Sequence, residues 1–385
     1  MGDLLAYGSL DQVRKSVRPA GSRSLLIATN HLQHIAGSEV VALELAQHFQ
    51  ALGCNVTTFA NWVGRPMSAL IESVTGAPPI TDPARIRPFA YDIVYAQHQV
   101  LGLFDYGPSD RDRSDTRIII GRLSRRVFLE SGAWLHDRLL ADHVLANSAL
   151  TAEHLVAMGH DGPITSFLNA APAGFFRPFI AKPPSPRRAL VVTNHADPAL
   201  MEAIGLLRQN MSVHHVGHGG DEVTLITPQM IADADVVISI GKTVPYALVS
   251  RVPVYIYDHF GGPGYLDRIN VDMAARFNFT GRCCGRRLSG AQIAAEIIGN
   301  YAKGVAFARD MPQAWVDRYS LPRYLDLLLE PPLMSNAAKR QRMREHRFLI
   351  QERQMAAYMR WSYIKRQQLT QEISVLKNDR SVRPS

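Results

Sequence analysis

The chain has 385 residues, 46% of them hydrophobic and 20% charged, with a formal net charge of +8. That length exceeds what one hydrophobic core usually organises, so two domains are expected, and no apolar run reaches the roughly eighteen residues of a membrane-spanning helix. Twelve basic and four acidic residues fall in 337–385, so this segment carries the whole excess and the rest is neutral. A basic groove through the domains is excluded, and no nucleic-acid partner is expected.

The first α/β series opens with the apolar run 25–28, followed by a polar loop over 30–37. A helix capped by Ser38 is expected next, with Val41, Leu45, Phe49 and Leu52 on one face and Gly53 at its end. Short buried strands follow at 55–60, 93–96, 117–120 and 143–146. Lys182, Pro183, Pro184 and Pro186 mark a linker. A second series places strands at 189–192, 213–216, 235–239 and 254–257, with helices near 199–207, 245–250 and 291–301. Strands alternating with helices imply parallel sheets covered on both faces, with a ligand cleft between their C-terminal edges. The expected divisions are an extension over 1–23, a first domain over 24–178, the linker over 179–188 and a second domain over 189–304. Closing helices over 305–330 and a basic helical tail over 331–385 complete the chain.

Cys54, Cys283 and Cys284 lack metal-ligand spacing, and the first seventeen residues carry Asp3, Asp11, Arg14 and Lys15 without the apolar core of a secretory signal. A reducing, cytoplasmic setting is expected. His214, His215 and His218 lie near Asp221, but adjacent strand residues point to opposite faces, so no shared metal is expected.

Between a strand and a helix of the second series, 240–243 reads Ile-Gly-Lys-Thr. A helix start offers backbone N–H groups to a phosphate, Gly241 permits close approach, and Lys242 supplies counter-charge, with Thr243 beside it. The upstream glycine of a nucleotide-triphosphate loop is missing. His98 follows the strand 93–96, where it could donate a hydrogen bond beside a reacting centre. His31 and His34 in the first loop, and Arg122 after the strand 117–120, are candidates for contacting an acceptor. Asp258 and the turn Gly261, Gly262, Pro263 and Gly264 close a strand of the second domain.

Over 169–178 the chain reads Asn-Ala-Ala-Pro-Ala-Gly-Phe-Phe-Arg-Pro, similar to the Asn-Gly-Val-Asp…Phe-x-Pro that ends the first domain of the retaining family-four GT-B glycosyltransferases. Ala146, Asn147 and Ser148, Gly37 in the first loop, and the closing Trp315, Tyr319 and Tyr324 strengthen the resemblance, which runs from Leu25 to about Glu330. Two departures stand out. The family's paired glutamates fall at Ile238 and Tyr246, and its Arg and Lys after the second domain's first strand are replaced by Thr193, Asn194 and His195.

The resemblance implies a GT-B fold of two Rossmann-like domains facing a cleft. It implies transfer of a sugar, with retention, from a nucleotide-sugar donor to a glycan or lipid-linked acceptor. Neither cofactor nor metal is expected. Donor contacts would come from Gly37, Gly241, Lys242, Thr243, Tyr246, Asp258, Gly261 and Gly262, with Tyr246 offering a hydroxyl where the family has a glutamate. His98 would act catalytically. Two alternatives are a nucleotide-sugar epimerase of the same architecture and a non-catalytic partner that kept the fold. In the tail, basic residues interleave with Met355, Tyr358, Trp361 and Ile364, as in a helix lying on an anionic membrane surface at the inner face. Met343, Ile350, Ala357 and Ile364 are seven apart, the spacing of self-association.

Overall fold

The computed structural model describes residues 23–125, 127–130, 132–195, 197–330 and 333–382. Residues 1–22 of the expected extension over 1–23, and Pro331 and Pro332, lie outside the described residues.

The first domain holds a parallel sheet of β1 (Ser24–Leu32), β2 (Asn55–Val63), β3 (Ile93–Gln97), β4 (Arg117–Arg122), β5 (His143–Ala146) and β6 (Ile164–Ser166) in the order β2-β1-β3-β4-β5-β6. Leu25, Leu26, Ile27 and Ala28 are fully buried, as a strand covered on both faces requires. The second domain orders β7 (Arg188–Val192), β8 (Ser212–Val216), β9 (Val236–Ser239), β10 (Val254–Asp258) and β11 (Gly261–Tyr265) as β11-β10-β9-β7-β8, with β11 antiparallel. The two Rossmann-like sheets face one another in the arrangement expected of a GT-B fold.

In each sheet the chain passes to one side of its first strand and later returns on the other. The crevices this opens lie between the C-terminal ends of β1 and β3, and of β7 and β9, where open α/β sheets take ligands.

Some elements differ from expectation. The first helix is Gly37–Ala51, preceded by Ala36 with no side-chain cap, and Leu52 is exposed rather than on the core face. The glycine-rich 261–264 is not a free turn but the edge strand β11. A Cβ on Gly261 would meet the Arg286 carbonyl at 2.2 Å, and one on Gly262 the Ile256 carbonyl at 2.0 Å, so glycine alone permits this close approach.

The chain crosses back between Tyr319, buried in the second core, and Leu321, buried in the first with Leu325 and Leu328. The tail then packs on the first domain. Lys339 is fully buried, its ammonium donating to the Asp142 carboxylate at 2.7 Å and the Thr116 carbonyl at 2.6 Å. In the C-terminal helix Leu349–Val382, the inward stripe includes Glu352, Ala356 and Tyr363. Glu352 accepts from the Leu135 and His136 amides at 2.8 and 3.1 Å. Met343 ends in the first core on a separate helix, Asn336–Arg344, so the seven-residue series starting there is not one helical seam.

Candidate active site

Between the sheets lies a cleft of about 510 Å³. The second domain lines it with Thr193, Asn194 and His195 after β7, and Ser239, Ile240, Lys242, Thr243 and Tyr246 after β9. Opposite them, the Gly37–Ala51 helix presents Gly37, Val40, Leu43, Glu44 and Gln47, the successive turns of one face. Among the described residues lining the cleft, Lys242 is the sole lysine or arginine.

Lys242 stands beside the helix start, where its charge is already paired. Its ammonium lies 2.5 Å from Glu44 Oε2 and donates to the Ala170 carbonyl at 2.9 Å and the Asn169 carbonyl at 3.3 Å. All three partners belong to the first domain. The other Glu44 oxygen accepts from the Tyr246 hydroxyl, whose ring stacks on Phe175 at 4.0 Å. Burial pushes the Glu44 carboxyl up and the Lys242 ammonium down, and each group's charge opposes the other's shift. Gly241 sits at φ +61° with open space beside it, but its amide donates to the Phe279 carbonyl. Gly37 is exposed at the cleft wall.

The crevice between β1 and β3 holds the predicted histidines. His98, 3% exposed and at φ +64°, turns its Nδ1 toward the Thr29 hydroxyl at 3.1 Å and the Asn30 amide at 3.4 Å. The amide can only donate, so Nδ1 is the acceptor and the proton is assigned to Nε2. Burial first, then His31 and Arg122, hold its pKa well below the ordinary histidine value. His98 is therefore a neutral imidazole at physiological pH. His31 stacks on it at 5.2 Å, and on the opposite side Tyr363 from the tail stacks on His31 at 6.0 Å. Burial, assisted by His34, lowers His31 to about 4. His34 is exposed at the loop, and partial burial of its ring, then the charge of His218 from the second domain, lowers its pKa. The polar atoms Asn30 Nδ2, His31 Nδ1 and Glu39 Oε2 are buried here without a hydrogen-bond partner. His31, His34 and His98 are not among the described residues lining the main cleft, which begins at Ile35.

The expectations for Arg122, for Asp258 and for the Gly261–Gly262 pair are corrected. Arg122 is 1% exposed, and its guanidinium is consumed by Glu130, Asp137 and the Gly132 carbonyl while lying over Trp134, so it is a buried tie rather than an acceptor contact. Asp258 is buried and accepts from the Phe260 and Gly281 amides, shaping the β10–β11 hairpin. Gly261 and Gly262 serve that same hairpin, and none of the three lines the cleft. His214 bonds Glu222 while His215 is buried, and no group of three metal-suited side chains occurs among the described residues.

The sequence reading missed Glu44, Glu39 and Tyr363. Glu44 carries one signal in the sequence, since it continues the Gly37, Val40 and Gln47 spacing of a second helix face. Glu39 accepts from the Gln33 and His34 amides, and burial raises it to about 7.

No family model matches the chain, and no curated protein matches it. Among solved structures, it is similar to one described as a UDP-N-acetylglucosamine 2-epimerase of Listeria monocytogenes, at 12% identity over 74% of this chain and 91% of that one, with a TM-score of 0.43. It is also similar to MurG of Acinetobacter baumannii, at 10% identity over 77% and 99% of the two chains, TM-score 0.39. A third is the glycotransferase of kitacinnamycin, at 15% identity over 81% and 99%, TM-score 0.39. These are likenesses of fold.

Proposed function

We propose that the chain is a glycosyltransferase that binds a nucleotide-sugar in the cleft and passes the sugar to a glycan or lipid-linked acceptor approaching from the first domain. The observation that carries this reading is Lys242, the one lysine among the described residues lining a cleft formed where the two sheets turn their C-terminal edges together. When the bond from the anomeric carbon to the phosphate oxygen breaks, negative charge collects on the departing diphosphate. A lysine beside a helix start can stabilise that charge without a metal. Neutral His98, with its Nε2 proton, can donate to the sugar or to charge forming beside it. The resemblance supports retention, which asks for no separate carboxylate base.

The outward face of the C-terminal helix supports an anionic membrane surface as a further partner, and so a cytoplasmic, peripheral location. Ile350, Tyr358 and Trp361 are exposed there, with Arg353 and Lys365 close by. A second reading, a non-catalytic partner that binds nucleotide-sugars, is favoured by Tyr246 in place of a glutamate and by Lys242 already neutralised by Glu44.

The deciding experiment is thermal stabilisation by a panel of nucleotide-sugars, followed by an assay for released nucleoside diphosphate. Stabilisation with release supports the transferase, and stabilisation alone supports the partner. No stabilisation by any member removes both.

A further inference from the structure

We infer that Glu44 is a gate on the donor site: it occupies the Lys242 ammonium and must give it up before a diphosphate can bind. The inference rests on the cleft being the donor site.

An ammonium has three protons to donate. In Lys242 two of them go to the Ala170 and Asn169 carbonyls, at 2.9 and 3.3 Å, and Glu44 Oε2 stands 2.5 Å away as the counter-ion, in the place a phosphate oxygen would take. Glu44 itself lines the cleft, so its carboxylate repels an anion arriving beside Lys242. The carboxylate cannot easily swing aside, because its second oxygen is held by the Tyr246 hydroxyl and its side chain is buried. Lys242 and Tyr246 come from the second domain and Glu44 from the first. The contact is therefore both a latch between domains and a plug on the cleft's counter-charge. A diphosphate that takes Lys242 must displace Glu44, so donor binding and release of the latch are one event. Glu44 acts through Lys242 and is a positioning residue.

Glu44→Gln keeps the volume and a carbonyl oxygen for Tyr246 while removing the competing charge. The probes are uridine, adenosine and guanosine diphosphates and inorganic pyrophosphate, measured by calorimetry in buffer without divalent metal. The tightest probe should bind the variant roughly tenfold more tightly or better, the scale of one charge-assisted hydrogen bond. Small-angle scattering without ligand should show a larger radius of gyration for the variant than for the wild type.

Equal or weaker binding by a folded Glu44→Gln protein overturns the gate while leaving the donor site standing. If that variant fails to fold, Tyr246→Phe loosens the same carboxylate and should strengthen binding in the same direction, and unchanged affinity there also overturns it. If no probe binds wild type or variants, the donor-site reading falls and takes the gate with it. Binding by the variant alone supports both.

Discussion

Tyr363, in the C-terminal helix, stacks on His31 at the end of β1 with ring centroids 6.0 Å apart and planes within 19° of parallel. The tail thus roofs the crevice between β1 and β3, and its ring contributes to the burial that lowers His31 to about 4. Tyr363→Ala should let water reach His31 and raise its pKa toward the ordinary value, by about one unit or more. An NMR titration of the His31 ring checks this. Tyr363→Phe should leave the titration where it is, and a matching shift there would mean the ring does not shield His31.

Lys242→Ala should destabilise the fold, because it strands the Glu44 carboxylate in the interior. Breaking a buried pair from one side typically costs about 3–5 kcal/mol. The sign with pH follows from Glu44, whose folded pKa would then stand further above its unfolded value. The cost is full above the folded pKa and shrinks as pH falls and the carboxyl takes a proton. Denaturant unfolding at pH 8 and pH 5 should therefore show the larger loss at pH 8. A loss below about 0.5 kcal/mol at both would mean the pair is not buried in solution.

Glu39 gives a second dependence on pH. Its folded value of about 7 exceeds its ordinary 4.5, so folding favours the protonated form, and the stability it adds is lost as pH rises between those values. Glu39→Gln stays neutral and can keep the two backbone hydrogen bonds. The variant should gain on wild type as pH rises, on the order of 1–3 kcal/mol by pH 8. Parallel unfolding curves at pH 5 and pH 8 would contradict this.

His98→Ala should lower turnover by roughly 10²–10⁴-fold while leaving nucleotide affinity nearly unchanged, because His98 lies in the first domain, away from Lys242. Its low pKa also means that the pH–rate profile should carry no limb from His98 between pH 6 and 8. Equal losses in turnover and affinity, or none in either, would return His98 to a purely structural role beside Thr29.

The sequence showed plainly what depends on local pattern. Runs such as Leu25 to Ala28 and Val254 to Tyr257 are apolar on every residue, and only buried parallel strands bear that. Strand β11 was hidden because Gly261, Gly262, Pro263 and Gly264 have the wrong propensity. The hairpin forms because the backbones approach where no Cβ could fit. The Glu44–Tyr246 contact joins residues 202 apart, and in the sequence Glu44 looks like a solvated helix residue. The tail misled for a related reason. Its inward stripe includes Glu352 and Ala356, so helical periodicity pointed instead to the larger outward side chains.

Those outward side chains make the last prediction. The inward stripe of the C-terminal helix is spent on the first domain, so a partner must meet Ile350, Tyr358, Trp361 and Lys365, which are exposed. A coiled-coil seam on that side would run through Tyr358, Trp361, Lys365, Gln368 and Glu372. Three of those five are polar or charged, which is a poor seam. An anionic bilayer suits the same face better, since Trp361 and Tyr358 can sit at headgroup depth while Arg353 and Lys365 each add ~1 kcal/mol. Truncating the tail is not a clean test, because it also removes Lys339, Met343 and Glu352 from the first domain. The double reversal Arg353→Glu and Lys365→Glu, with and without Trp361→Ala, leaves the buried residues Ala356 and Tyr363 in place. Co-sedimentation with phosphatidylserine-containing vesicles should fall at least about tenfold in the double variant and further in the triple, with unfolding midpoint and solution mass unchanged. Wild-type protein that stays in the supernatant would remove the membrane as partner, and a variant whose mass halves would assign the face to a second copy of the chain.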